Sequence, residues 1–169
     1  MHLIISATRN NNQKLASSLE KTAKELGMET KVICLEDYDL PVYTPTIESK
    51  GIPQAALTLT EVFSEAKSLV FCAPEYNGSI PPIVNNAIAW ISRSGNEDWR
   101  AAFNSKPAVV ATHSGGGGLK VTQAMRAQLE HLGAVVLPRP VVTNFSKELN
   151  PDSAVAIMGQ LNVLGNALS

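Results

Sequence analysis

The sequence predicts an α/β fold: a parallel sheet with helices on both faces, in three layers. Three observations predict it. Short apolar runs alternate along the chain with segments whose apolar residues recur at helical spacing. The runs are apolar throughout rather than at every second residue, the pattern of strands buried on both faces. The 169 residues are 44% hydrophobic, enough for one core, with no repeat, linker or low-complexity tract, so one domain over 1–169 is expected.

The elements follow in order. Leu3-Ile4-Ile5 is a first strand. Leu15, Leu19, Thr22, Ala23 and Leu26 form a helical stripe that Gly27 stops. Val32-Ile33-Cys34-Leu35 is a second strand, followed by a long loop from Glu36 to Gly51 holding Pro41 and Pro45. Ala56, Leu59, Val62, Phe63 and Ala66 make a second helix. Leu69-Val70-Phe71-Cys72-Ala73 is the central strand, and Ile80, Ile83, Val84, Ala87, Ile88 and Ile91 lie on one face of the next helix. Lys106-Pro107 sets up a fourth strand over Ala108–Thr112. Val121, Met125, Leu129 and Leu132 form a helix closed by Gly133, and Ala134–Leu137 is a fifth strand. Asn150-Pro151 opens the last helix as cap and first helical residue. Five strands alternating with five helices predict a parallel five-stranded sheet, and the flavodoxin-like order 2-1-3-4-5 is the common small solution.

Charge and composition remove several function classes. Net charge is -1 with no basic stripe, unlike a nucleic-acid binder. No apolar run reaches the ~20 residues that span a bilayer, so no membrane role is expected. The chain begins directly in a strand, without a charged leader or cleavage site, so a cytoplasmic location is expected. Cys34 and Cys72 sit in apolar runs and read as small buried hydrophobes. His2, His113 and His131 show no metal-ligand spacing, and no metal is expected.

In a 2-1-3-4-5 sheet the loops after strands one, three and four converge at the carboxyl edge, where such sheets bind ligands. The first, from Ser6 to Lys14, is rich in hydroxyl and amide side chains: Ser6, Thr8, Asn10, Asn11 and Asn12, with Arg9 as a cation. A loop entering a helix N-terminus offers free N–H groups and a positive dipole end, which favour a phosphate. Plain helix capping by Asn11 or Asn12 is the alternative. The loop is neither a P-loop nor a G-x-G-x-x-G fingerprint. The second, Pro74-Glu75-Tyr76-Asn77-Gly78-Ser79, could present the N–H groups of Glu75, Tyr76 and Asn77 to a flat heterocycle, with Gly78 allowing close approach and Tyr76 packing on the ring. The alternative is a solvent-facing carboxylate and a rim aromatic. The third, Thr112-His113-Ser114 followed by Gly115 to Gly118, spends four glycines on backbone geometry. His113 reads as a polar residue at the lip of the pocket rather than a catalytic one.

These three loops together resemble the NADPH-dependent FMN reductase family. Pro74-Glu75-Tyr76-Asn77-Gly78-Ser79, Asn86-Ala87-Ile88 and Trp90 match its middle motif. Ser6-Ala7-Thr8-Arg9-Asn10-Asn11-Asn12 before Leu15-Ala16 is a shortened form of its first motif. Leu132-Gly133-Ala134-Val135-Val136-Leu137-Pro138 follows its third. Pro82 stands at a usual Gly, Asn85 at a usual basic residue and Ala89 at a common acidic one. The resemblance implies FMN as cofactor and NAD(P)H as hydride donor. Ser6, Thr8, Arg9, Asn10, Asn11 and Asn12 would hold the FMN phosphate. Pro74, Glu75, Tyr76, Asn77 and Gly78 would hold the ribityl chain and isoalloxazine, and Ser114 and Gly117 would face the ring from the other side. The expected activity is hydride transfer from NAD(P)H through flavin to a small-molecule acceptor: a quinone, azo dye, chromate or free flavin. No side chain is assigned as catalytic, since the cofactor carries the chemistry. The competing readings are an electron-transfer flavoprotein without nicotinamide activity and a non-catalytic binding module; a Ser hydrolase lacks its G-x-S-x-G elbow. A homodimer or homotetramer is expected, with Tyr43, Trp90, Ile91 and Trp99 candidates to cover the pocket or pack between subunits.

Overall fold

The computed structural model describes residues 1–94 and 98–168; residues 95–97 and 169 of the expected domain lie outside them. Its strands are β1 (His2–Ser6), β2 (Thr30–Cys34), β3 (Ser68–Cys72), β4 (Pro107–His113), β5 (Val135–Val136) and β6 (Val141–Thr143). Its helices are α1 (Asn11–Glu25), α2 (Pro45–Glu48), α3 (Gln54–Glu65), α4 (Pro82–Ser94), α5 (Leu119–His131) and α6 (Pro151–Ala167). The sheet runs β2-β1-β3-β4-β5 with parallel pairing throughout, the flavodoxin-like order.

The continuous apolar runs are explained by two cores, one on each face. Every residue of β1 and β3 is buried. Leu3, Ile5, Leu69, Phe71, Ala108 and Val110 face α3, α4 and α5. Their neighbours Ile4, Val70, Cys72, Val109 and Ala111 face α1 and α6. Side chains alternate across a strand, so a strand between two helix layers needs apolar residues at every position. Cys34 and Cys72 are both free and buried, Cys72 within the core against α1 and α6. Desolvation pushes both thiols up, away from reactive thiolate character.

The edge next to β4 departs from the expectation of one fifth strand. Ala108 pairs with Val136, but Ala111 pairs with Val141, so the edge chain carries two more residues than β4 across the same span. Leu137, Pro138, Arg139 and Pro140 make up the excursion between β5 and β6. Proline cannot donate to a ladder, which confines it to an edge and breaks the pairing there. The strand resumes as β6 and delivers the 144–149 segment to the carboxyl edge of the sheet.

The long loop after β2 is also more ordered than its sequence suggests. It opens in a 3₁₀ turn over Leu35–Tyr38 and includes α2, whose first turn is capped by the Thr44 hydroxyl accepting from Ile47 N–H at 3.1 Å. Helix α4 holds the loop down. Trp90 Nε1 donates to Pro41 O at 2.7 Å, and Asn86 donates to Pro41 O and accepts from Tyr43 N–H at 2.8 Å. The Tyr43 and Trp90 rings meet edge to face, 5.2 Å apart. Trp90 and Ile91 are thus buried within this one chain, at 0% and 1% exposure. This corrects the expectation that they cover the pocket or pack between subunits. Their positions on the buried stripe of an amphipathic helix account for it.

Candidate functional site

The loops after β1, β3 and β4 do converge, and they line a cleft of about 290 Å³ at the carboxyl edge of the sheet. Thr8, Arg9, Asn10, Asn11, Asn12, Pro74, Glu75, Tyr76 and Ser114 line it, as do Glu36, His113, Gly115 and Phe145. Ser6 lies beneath it, fully buried. Asn77, Gly78 and Gly117 are not among its lining residues.

The first loop is built to leave helix α1 open at its N-terminus. Asn10 precedes the helix at φ 68° and ψ -126°, a conformation that favours glycine, and no side chain caps the first turn. Capping by Asn11 or Asn12, the alternative on sequence grounds, is therefore not what these residues do. The N–H groups of Asn11, Asn12 and Gln13 have no acceptor among the described residues. They point their partial positive charge out of the helix end, with no acidic residue in the first turn. Ser6 Oγ donates to Thr8 O at 2.6 Å and so shapes the loop from below. Asn12 turns inward: its amide donates to His113 O at 3.0 Å and its carbonyl accepts from His113 N–H at 2.9 Å. That pair welds the first loop to the third. Arg9 turns outward. Its backbone N–H donates to Glu36 Oε2 at 2.8 Å, and its guanidinium pairs with Asp37 and Glu36 on the 3₁₀ turn.

The second loop is a two-residue hairpin. Tyr76 and Ser79 exchange both backbone hydrogen bonds, at 3.1 and 3.0 Å. Asn77 and Gly78 between them have φ of 52° and 73°, the type I′ combination that Asn-Gly favours. The Tyr76 N–H is thereby spent inside the hairpin, which corrects the expectation that it is free for a heterocycle. The N–H groups of Glu75 and Asn77 have no acceptor among the described residues. The Glu75 carboxylate is not solvent-facing either. It accepts from Val121 N–H at 3.3 Å and so caps α5 from a different loop, at the helix end where an anion is favoured.

The third loop uses its glycines unequally. Only Gly118 of the four has positive φ, 68°, and a Cβ there would sit 2.7 Å from Thr112 Cγ2. Gly115 and Gly116 leave the floor open beside Phe145 and Glu75. Ser114 is 5% exposed, donates its N–H to Thr143 O at 3.1 Å and accepts from Gly116 N–H at 3.2 Å. His113 bonds through Nδ1 to Thr143 Oγ1 at 3.1 Å and meets the Phe145 ring edge to face. Thr143 Oγ1 itself donates to Thr112 O, so it accepts from the imidazole. Nδ1 is therefore the donor of this pair, and Nε2 is buried without a hydrogen-bond partner among the described residues.

The chain from residue 2 to 147 matches the sequence profile of the NADPH-dependent FMN reductase family. The chain belongs to the NADPH-dependent FMN reductase family. This FMN reductase family member is 32% identical over 105 residues to a quinone reductase of Escherichia coli (strain K12), an overlap of 60% of this chain and 54% of that one. It is 30% identical over 131 residues to a quinone reductase of Pseudomonas putida, covering 76% and 67% of the two chains. The chain thus spans about half the length of the first relative. Its fold is similar to that of FerB, a flavoenzyme NAD(P)H:(acceptor) oxidoreductase from Paracoccus denitrificans, with a TM-score of 0.73, 21% identity, and coverage of 98% and 96%.

Glu36 and Phe145 were not among the residues that sequence reasoning placed at this site. Glu36 follows β2 at the same sheet edge, and topology alone could have put it there. Phe145 is 81% exposed in a turn closed by Asn144 and Lys147. A lone aromatic amid polar turn residues after an apolar pair was the available signal.

Proposed function

We propose that this chain binds FMN in the cleft and acts as an NAD(P)H-dependent oxidoreductase that reduces a small-molecule acceptor of the quinone type. The open N-terminus of α1 carries this reading: its first turn has unpartnered N–H groups among the described residues, no side-chain cap and no acidic residue, and Asn11 and Asn12 line the same cleft as Pro74, Glu75 and Tyr76. That donor set fits a phosphate dianion. The hairpin beside it fits a planar ring, with the Glu75 N–H free to donate at the cleft wall and Tyr76 at the rim. The names of its relatives support the same chemistry.

In this reading the phosphate rests on the N–H groups of Asn11, Asn12 and Gln13, with Thr8 and Asn10 beside them. Arg9, already paired with Glu36 and Asp37, gives the loop its shape more than it gives the phosphate a counter-charge. Pro74, Glu75, Tyr76, Asn77 and Gly78 bound one side of the ring site. Ser114 and the Gly115–Gly117 backbone bound the other. When bound, the flavin supplies hydride acceptance and delivery. The chain's residues bind it, orient it and surround its polar edge with preorganised N–H donors. Tyr76, about half exposed at the rim, supports a homodimer or homotetramer in which a second copy narrows the opening. Cytoplasmic residence belongs to the same proposal.

Anaerobic spectroscopy tests it. The protein loaded with FMN should show a bound-flavin absorption band that bleaches on addition of NADPH or NADH and returns on addition of a benzoquinone. A band that neither nucleotide bleaches would remove the reductase activity, and a protein that takes up no FMN would remove the site.

A further inference from the structure

Helix α6 turns an unusual face to solvent. It runs 17 residues over Pro151–Ala167 with Asp152 as its single charged residue, whereas its neighbour α1 carries five charged residues in 15. Its inner stripe, with Ala154, Ile157, Met158 and Leu161, is spent in the core. The outer face of such a helix is ordinarily polar. Here Val155 is 44% exposed and Val163 68% exposed. Asp152, Ala156, Gly159, Val163 and Asn166 recur at intervals of four and three residues, the 3.5-residue spacing of a helix-pairing seam. Gly159 sits at the middle of that seam. A Cβ there would meet nothing within 4 Å, so no contact inside the chain calls for a glycine that weakens the helix. None of these residues lines the cleft.

We propose that this face pairs with the same face of a second copy of the chain, the two α6 helices crossing antiparallel at Gly159. Two observations choose a second copy as the occupant. The first is the symmetry of the seam. Val155 and Val163 lie four residues either side of Gly159, so a twofold axis there sets Val155 of each copy against Val163 of the other, and the glycine lets the backbones approach. The second is charge. Asp152 and Asn166 lie seven residues either side of Gly159, so the same axis sets them opposite each other. Asn166 Oδ1 accepts from Lys67 Nζ at 3.4 Å. Neither Asp152 nor Lys67 has an ion pair within the chain among the described residues. The antiparallel crossing therefore brings each Asp152 carboxylate towards Lys67 of the other copy, twice by symmetry. A parallel crossing would set Asp152 against Asp152. A crossing angle of about 20° keeps the helices in contact over the two turns on each side. One helix pair is smaller than a standard interface, so a Kd of about 10 µM is expected. The pairing is separate from any closure of the cleft and does not depend on the flavin reading.

Sedimentation velocity on the whole protein, FMN-loaded and flavin-free, at concentrations up to about 200 µM tests it. The wild-type protein should form an assembly whose mass halves in Gly159→Arg. That position is open, so the arginine leaves the fold intact, which circular dichroism checks. Asp152→Lys and Lys67→Asp should each weaken association about tenfold, and the two together should restore it to within about threefold, because the pair is rebuilt with its signs exchanged. An assembly of the same mass in wild type and Gly159→Arg would overturn the pairing, as would a wild-type protein that stays a single chain throughout. A double exchange no better than its single members would overturn the antiparallel register. Mass is read without turnover, so a protein that takes up no FMN removes the flavin site and still tests the pairing.

Discussion

Asn12 is the residue on which the site turns, and its role was hidden in the sequence. It is 3% exposed, and its amide reaches across 101 positions to bond both ways with the His113 backbone. Sequence alone offers two local uses for an Asn near a helix start, ligand donor or cap, because long-range partners have no sequence signature. Asn12→Ala removes two buried hydrogen bonds and strands the His113 groups, so it should cost about 2 kcal/mol in urea unfolding. Asn10, two positions earlier, holds φ at 68° with ψ at -126°. If that strain serves the open helix end, Asn10→Gly should raise stability by about 1 kcal/mol, read from the urea midpoint, since glycine enters that region freely. Asn77-Gly78, read from the sequence as part of a ligand-facing loop in which Gly78 permits close approach, instead closes a hairpin, because Asn and Gly are among the few residues that accept positive φ in succession.

At the scale of elements, periodicity carried most of the fold. The fully apolar runs became β1, β3 and β4, and the five stripes became α1, α3, α4, α5 and α6. The split edge was not legible, since a three-residue strand after two prolines carries no periodicity to read. Nor was the cap of α5, because its acceptor, Glu75, comes from another loop. Glu75→Ala should cost about 1 kcal/mol by loss of that cap, measured by thermal or urea unfolding. Gly118→Ala should cost about 2 kcal/mol or more in the same assay, since it combines positive φ with a Cβ position 2.7 Å from Thr112 Cγ2. The glycine run had suggested special backbone geometry throughout, and one of its four members requires it.

For the whole molecule, one joint outside the site ties pH to stability. His2 at the start of β1 is 3% exposed, bonds Ser68 Oγ at 2.8 Å, and packs against Gly165 near the end of α6. Desolvation holds its imidazole below the ordinary value, helped by the N-terminal ammonium and Lys67, while a bond with Asn162 and the charge of Glu29 oppose them. The folded state therefore takes the proton less readily than the unfolded one. Stability should be full above pH ~6.5, the unfolded value, and should fall as pH drops below it, with a slope of at most about 1.4 kcal/mol per pH unit from this group. Urea midpoints across that range should show the decline, and His2→Asn should flatten it.

On the function proposed above, the open end of α1 holds the phosphate of a flavin whose ring lies against the Pro74–Tyr76 side of the cleft. Titrating the flavin-free protein with FMN and with riboflavin, followed by quenching of flavin fluorescence, tests it most directly. The two ligands share the ring and differ in the phosphate. FMN should bind about a hundredfold tighter than riboflavin, a preference that Arg9→Ala leaves within about threefold because Glu36 and Asp37 already pair that side chain. Equal binding of the two flavins, or no binding of either, would contradict the account.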